Sequence, residues 1–307
     1  MKEKTYKIDG LDEHKIFVAS WMPENNNELK GIIQIVHGMA EHCLRYRHFA
    51  DYLTSKGYGV YAHDHRGHGQ SLDNENDLGF FHESNGWDIV IDEVHIVTEF
   101  IKKENLNSDI FIFGHSMGSI VTRGYIQKYG DDVKCAIISG TSATKGAMGY
   151  AGIGLAKLIC LLRGKRHRGK LLTNLSFGSF NKKFKPTETD NDWLSRDREQ
   201  VAIYNQDDKC GFLCSAGFYV DLLHGLNKVS KKSNITKTPK SLPIYFISGD
   251  NDPVGDMGKG IRKICGLYSD LGYNVKIKLY EGSRHEIINE INKDEVYEDI
   301  FNYVSGL

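Results

Sequence analysis

Short runs of consecutive apolar residues alternate along this chain with longer stretches in which apolar positions recur every three or four residues. The runs are Lys15-Ile16-Phe17-Val18-Ala19, Gly31-Ile32-Ile33-Gln34-Ile35-Val36, Gly57-Tyr58-Gly59-Val60-Tyr61-Ala62 and Ser108-Asp109-Ile110-Phe111-Ile112-Phe113. Near-continuous apolar character predicts strands covered on both faces. Trp87, Val90, Ile91, Val94, Val97 and Ile101 repeat at helical spacing and predict a helix over Trp87 to Lys103, and Ile120, Val121 and Ile126 mark the inner face of another. Further strands are expected at Cys135–Ile138, Ile244–Ile247 and Val275–Leu279. This alternation predicts an α/β class with a mostly parallel central sheet and helices on both faces.

The alternation stops between about Thr141 and Leu242. We therefore expect a core formed by residues 1–144 and 241–307, with residues 145–240 inserted as a helical cap. Gly146, Gly149, Gly152 and Gly154 open the insertion. They do not make a G-x-G-x-x-G dinucleotide loop, because the last required position is Lys157, so a flexible hinge is expected there. Tyr150 to Leu162 is almost wholly apolar, and Arg163, Lys165, Arg166, Arg168 and Lys170 follow it. The plainer reading of that order is an ordinary cap helix with a solvated basic loop behind it; the functional one is a helix that lies on an anionic membrane surface and roofs an acyl tunnel. It is too short to span a bilayer.

Composition narrows the function classes. In 307 residues the formal net charge is −1 with 26% charged residues, so no basic field exists to hold nucleic acid. The first ten residues lack the apolar core and cleavage site of a signal peptide. Six cysteines (Cys43, Cys135, Cys160, Cys210, Cys214, Cys265) are too sparse for a disulfide framework and lack C-x-x-C pairs, which points to reduced thiols and a cytoplasmic location. Cys210 and Cys214, one helical turn apart, read as small core residues.

The chemistry begins at Gly114-His115-Ser116-Met117-Gly118, directly behind an apolar run and before a helical one. Among 32 glycines the pentapeptide alone carries little specificity. Its context carries more: a strand-turn-helix elbow presents its serine in a strained conformation, and only small residues two positions to either side allow so tight a turn. A serine nucleophile needs a base, and the base an orienting acid; on such folds they follow in the order Ser, Asp or Glu, His. Of thirteen histidines only His285 follows the strand at Ile244–Ile247, and it lies in a loop past the last strand. The preceding strand ends in Ser248-Gly249-Asp250-Asn251-Asp252-Pro253, where two aspartates compete. Asp252 is favoured because it stands farther out and Pro253 stiffens the turn after it, which leaves Asp250 to hold the turn. The oxyanion needs backbone donors, for which the amides of Met117 and of Met39, in His37-Gly38-Met39-Ala40-Glu41-His42, are the candidates.

Together with Asp64-His65-Arg66-Gly67-His68-Gly69-Gln70-Ser71, the elbow and the His37–His42 loop resemble the monoacylglycerol lipase and lysophospholipase branch of the serine aminopeptidase-like α/β-hydrolases, over about residues 6–144 and 241–305. The resemblance implies the α/β-hydrolase fold, a Ser116-His285-Asp252 triad, an oxyanion hole at Met39 and Met117, and hydrolysis of a small lipid-like ester through an acyl-enzyme. It implies no cofactor. The cap departs in sequence and leaves acyl preference open. His63, His65 and His68 have only Asp64 beside them and read as a structural turn rather than a metal site. An aminopeptidase on the same fold is the second reading, although proline-releasing relatives resemble G-G-S-W-G at the elbow and H-G-G-P-G at the oxyanion loop. Serine at the elbow disfavours dehalogenases and epoxide hydrolases, which carry aspartate there. A silent ligand-binding protein is the third.

Overall fold

A computed structural model describes residues 1–25 and 29–307. The strands among them are β1 (Lys2–Asp9), β2 (Lys15–Met22), β3 (Gly31–Val36), β4 (Tyr58–His63), β5 (Ile110–His115), β6 (Cys135–Ser139), β7 (Ile244–Gly249) and β8 (Val275–Tyr280). They form one sheet in the order β1-β2-β4-β3-β5-β6-β7-β8. Pairing is antiparallel for β1–β2 and β2–β4 and parallel across the rest. The apolar runs are continuous because alternate residues enter two cores. Ile32 and Val36 of β3, with Ile110 and Ile112 of β5, face one core, and Ile33, Ile35, Phe111 and Phe113 face the other.

The helices are α1 (Arg47–Ser55), α2 (Gly86–Glu104), α3 (Met117–Tyr129), α4 (Ala147–Arg163), α5 (Lys170–Phe177), α6 (Arg198–Gln206), α7 (Ala216–Val229), α8 (Lys232–Ile235), α9 (Lys259–Asp270) and α10 (Lys293–Ser305). Apolar residues of α2, α3 and α9 fill the first core, and those of α1 and α10 the second. The chain thus has the α/β-hydrolase fold, an open sheet whose carboxyl edge is free to collect loops.

Strand β1 escapes the apolar pattern. It lies at the sheet edge, where main-chain pairing to β2 from Lys2↔Met22 to Asp9↔Lys15 holds it and most of its side chains face water.

Five helices, α4 to α8, lie between β6 and β7, and the first of them corrects one expectation. Gly149, Gly152 and Gly154 are inside α4 and form no hinge. Each costs the helix about 1 kcal/mol relative to alanine, which packing of α4 on α7 offsets. A Cβ on Gly152 would stand 3.2 Å from Leu223 Cδ1. Only Gly146, at φ +56°, has a backbone that demands glycine. The cysteine reading also splits. Cys214 is buried core, but residues 207–213 are turns rather than helix, and Cys210 is half-buried beside His42 and Asp207. The chain before α4 and the chain after α7 both meet α3, where the buried Arg123 donates to Ser142 O (3.1 Å) and to Ser230 Oγ (2.7 Å).

Candidate active site

Ser116 is the first residue past β5 and caps α3 with φ +54° and ψ −119°, a strained combination for any residue with a side chain. The flanking glycines make it attainable. A Cβ at Gly114 would stand 2.2 Å from Thr122 Oγ1, and one at Gly118 only 2.0 Å from Val36 O at the end of β3. The elbow is therefore jammed against the neighbouring strand, and α3 begins with the amide of Met117, one of the free N–H groups of a helix start.

His285 follows β8 and is buried. Its Nε2 lies 2.8 Å from Ser116 Oγ, and its Nδ1 lies 3.0 Å from Asp252 Oδ2, an ion-pair contact whose alignment falls short of a linear hydrogen bond. Asp252 is fully buried after β7; its Oδ2 accepts from Ser248 Oγ (3.1 Å) and its Oδ1 from the Val254 amide (2.8 Å). Burial alone would lower the pKa of His285. The Asp252 carboxylate outweighs it, helped by Glu286 and Glu41, and the imidazole stays above its ordinary value. Asp250 points elsewhere: its Oδ1 accepts from the Gly282 amide at 2.8 Å and pins the loop that carries His285.

The loop after β3 closes the remaining side. A Cβ on Gly38 would be 3.2 Å from Ser116 Cβ, so this backbone passes directly over the nucleophile position with the Met39 amide next in line. The loop is braced by Glu41, which accepts from the Gly38 amide (2.5 Å), Tyr46 Oη (2.9 Å) and Arg45 Nη1 (2.6 Å). Arg45 also grips Glu286 through two bonds of 2.8 and 2.7 Å. Burial would raise the Glu286 carboxyl, but the guanidinium overrides it and holds its pKa at about 2. One buried arginine thus ties the loop of Gly38 to the loop of His285.

Arg45 and Glu286 were absent from the sequence expectations; the one available signal was the Glu41/Arg45 spacing of four. Trp193 was missed as well. Its ring centroid lies 5.2 Å from that of His285, and it comes from the segment between β6 and β7, where nothing in its local pattern points to a site. On the other flank the His115 ring is 4.8 Å from His285.

Asp64 accepts from the Cys43 and Gln70 amides (both 2.7 Å). His63, His65 and His68 are buried, and the rings of His65 and His68 lie 4.4 and 5.4 Å from that of His37. Burial lowers the pKa of all four imidazoles, those of His63 and His68 to about 4.

A half-buried serine with a buried histidine and aspartate in series behind it, beside a glycine loop, is the equipment of nucleophilic acyl transfer. Residues 27–292 match the serine aminopeptidase S33 family. The chain belongs to that family. This S33 member is a serine hydrolase, similar to human monoglyceride lipase (27% identity over 96% of this chain and 86% of that one) and to the monoacylglycerol lipase of Mycolicibacterium smegmatis (24%, over 97% and 96%). Among solved structures it resembles a thermostable carboxyl esterase from Bacillus coagulans in complex with glycerol, at a TM-score of 0.91 and 26% identity over 100% of this chain and 99% of that one. It shares its fold with a soluble variant of monoglyceride lipase from Saccharomyces cerevisiae (TM-score 0.76, 21% identity, 98% and 93% covered).

Proposed function

We propose that this chain hydrolyses lipid-like monoesters, monoacylglycerols or lysophospholipids, through an acyl-enzyme. Ser116 Oγ attacks the ester carbonyl while His285 Nε2 takes its proton, and the imidazolium so formed is stabilised by Asp252. The oxyanion is received by the amides of Met39 and Met117. Collapse expels the alcohol, which receives the proton from His285. Water, deprotonated by the same imidazole, then cleaves the acyl-serine and restores the enzyme. The carrying observation is the unbroken contact chain Ser116 Oγ, His285 Nε2 at 2.8 Å, His285 Nδ1 to Asp252 at 3.0 Å.

The lipid preference is supported by the named relatives and by the outer face of residues 145–240, which we read as the cap over the site. On α4, Met148, Tyr150, Leu161 and Leu162 are 76, 62, 82 and 69% exposed, and Leu171 and Leu175 of α5 continue the apolar face. No helix among the described residues is long and apolar enough to cross a membrane. We read this face as lying on a lipid surface. Of the five basic residues from the end of α4 to the start of α5, Arg166 is paired with Asp77 and Glu83, and Lys165 with Glu83. That leaves Arg163, Arg168 and Lys170 for anionic lipid. The six unpaired thiols support a cytoplasmic setting.

The family description favours one competing reading, aminoacyl-amide hydrolysis. Purified protein assayed side by side on monoacylglycerols, lysophospholipids, p-nitrophenyl esters and aminoacyl amides separates the two. Preference for long-chain monoesters is expected, and preference for the amides would refute the proposal.

A further inference from the structure

Beside the Gly38 loop lies a second cluster of side chains that ester hydrolysis does not use. The turn Asp207-Asp208-Lys209-Cys210 is closed by the Cys210 amide donating to Asp207 O at 2.9 Å. It is fastened to the loop after β3 by the Gly211 amide and Tyr204 Oη, which donate to Ala40 O at 2.9 and 3.1 Å. Two residues beyond Ala40, His42 Nε2 lies 2.8 Å from Asp207 Oδ2. One imidazole nitrogen, one carboxylate oxygen and the Cys210 sulfur all fall within 4.8 Å of one another, drawn from segments 165 residues apart.

Imidazole, carboxylate and thiolate together are the donor set of zinc-class ions. Metal–ligand bonds of about 2.0–2.3 Å around a tetrahedron put the donors roughly 3.3–3.8 Å apart. The three donors already lie within 4.8 Å of one another, the His42–Asp207 pair at 2.8 Å, so that spacing is reached by adjustments of about an ångström at side chains that are half-buried at Asp207 and Cys210. Three carboxylates, Glu41, Asp207 and Glu286, act on the Cys210 sulfur together with the Arg45 guanidinium, and Lys209 adds a second cation beside Asp207.

We propose that His42 Nε2, Asp207 and Cys210 Sγ bind one zinc-class divalent cation, a fourth position going to water, which fastens the 204–214 segment to the loop carrying the Met39 amide. On binding, the Cys210 S–H bond breaks, its proton passes to solvent and the sulfur electron pair bonds the metal. His42 offers the Nε2 lone pair with its proton on Nδ1. Affinity therefore rises with pH. The other described group of this kind, His95, Glu99 and Asp132, has the Lys102 ammonium already on Glu99 (2.8 Å) and Asp132 (2.6 Å) and serves as the control.

Metal-stripped, reduced full-length protein titrated with zinc chloride, and separately with cobalt(II) chloride, tests this. Zinc should raise Tm with release of roughly one proton per ion bound, and cobalt should develop a thiolate-to-metal absorption band. Cys210→Ser should abolish the band and weaken zinc binding by more than the roughly 10–100-fold that loss of an outer-shell partner gives, while keeping wild-type ester turnover in the absence of metal. Asp207→Asn should weaken zinc as well, and Asp132→Asn should not. No rise in Tm at millimolar zinc overturns the proposal, as does binding that survives both Cys210→Ser and Asp207→Asn or is lost in Asp132→Asn.

Discussion

Acid should unfold this protein through its buried histidines, and His63 isolates the effect. Its ring is 1% exposed, neither nitrogen has a hydrogen-bond partner, and burial alone pushes its pKa down to about 4. In the unfolded chain the same imidazole titrates near 6.5. Between these values the unfolded state binds more protons than the folded one, so stability rises with pH across that window. The contribution is complete above the unfolded value, shrinks as pH falls from 6.5 toward 4, and changes no further below. Lowering the pH from 7 to 5 removes about 2 kcal/mol for His63, and His68, also at about 4, loses a similar amount. Against a total stability of roughly 5–15 kcal/mol, the pair is a large share of what acid removes, and the buried His37, His65 and His115, whose pKa values burial also lowers, act in the same direction. His63→Leu replaces the ring by an apolar side chain of similar bulk that cannot titrate. With an unfolding entropy near 2.1 cal/mol/K per residue, the drop in Tm between pH 7 and pH 5 should be smaller in the variant by about 3 °C. The difference reports His63 together with the relief it gives His65 and His37, whose pKa values its charge also lowers; both effects shrink the drop in the variant. Thermal unfolding followed by circular dichroism at the two pH values is the assay. Equal drops in variant and wild type would refute the reasoning, because they would mean that this imidazole is not held neutral by burial.

The site makes its own predictions. Ser116→Ala should abolish ester hydrolysis and fluorophosphonate labelling with no loss of Tm, and any retained labelling removes the serine from its role. Asp252→Asn should lower kcat by on the order of 10³–10⁴, whereas Asp250→Asn, which weakens one bond to the Gly282 amide, should chiefly lower stability in urea; reversed phenotypes would exchange the two roles. Because Asp252 holds the His285 pKa above its ordinary value, kcat/KM should rise with pH through a midpoint above 6.5, and a midpoint clearly below that would show that burial outweighs the carboxylate. Arg45→Met leaves Glu41 and Glu286 buried without their cation and should destabilise the fold by roughly 3–5 kcal/mol in denaturant titration; a loss under 1 kcal/mol would mean that the two loops are held together otherwise.

The local pattern carried the sheet and the elbow because both are governed by short-range physics. Two-sided burial writes β3, β5, β6 and β7 as apolar runs, and the backbone strain at Ser116 requires glycine two positions away on either side. Chain order then singled out His285, since no other histidine follows β7. Edge strand β1 stayed hidden because main-chain pairing holds it and leaves little imprint on side-chain type. The glycines of α4 misled because helix packing on α7 overrides their intrinsic preference. The sequence favoured Asp252 over Asp250 from its place in the turn, and the tertiary structure sets the direction of each: Asp252 faces the imidazole and Asp250 the Gly282 amide, because of where β8 brings its loop. Tertiary structure alone decided that Arg45 bridges to Glu286, 241 residues away, and that Trp193 covers His285. Such contacts depend on the crossing of distant segments, and nothing in the identity of an arginine or a tryptophan states which segment it will meet.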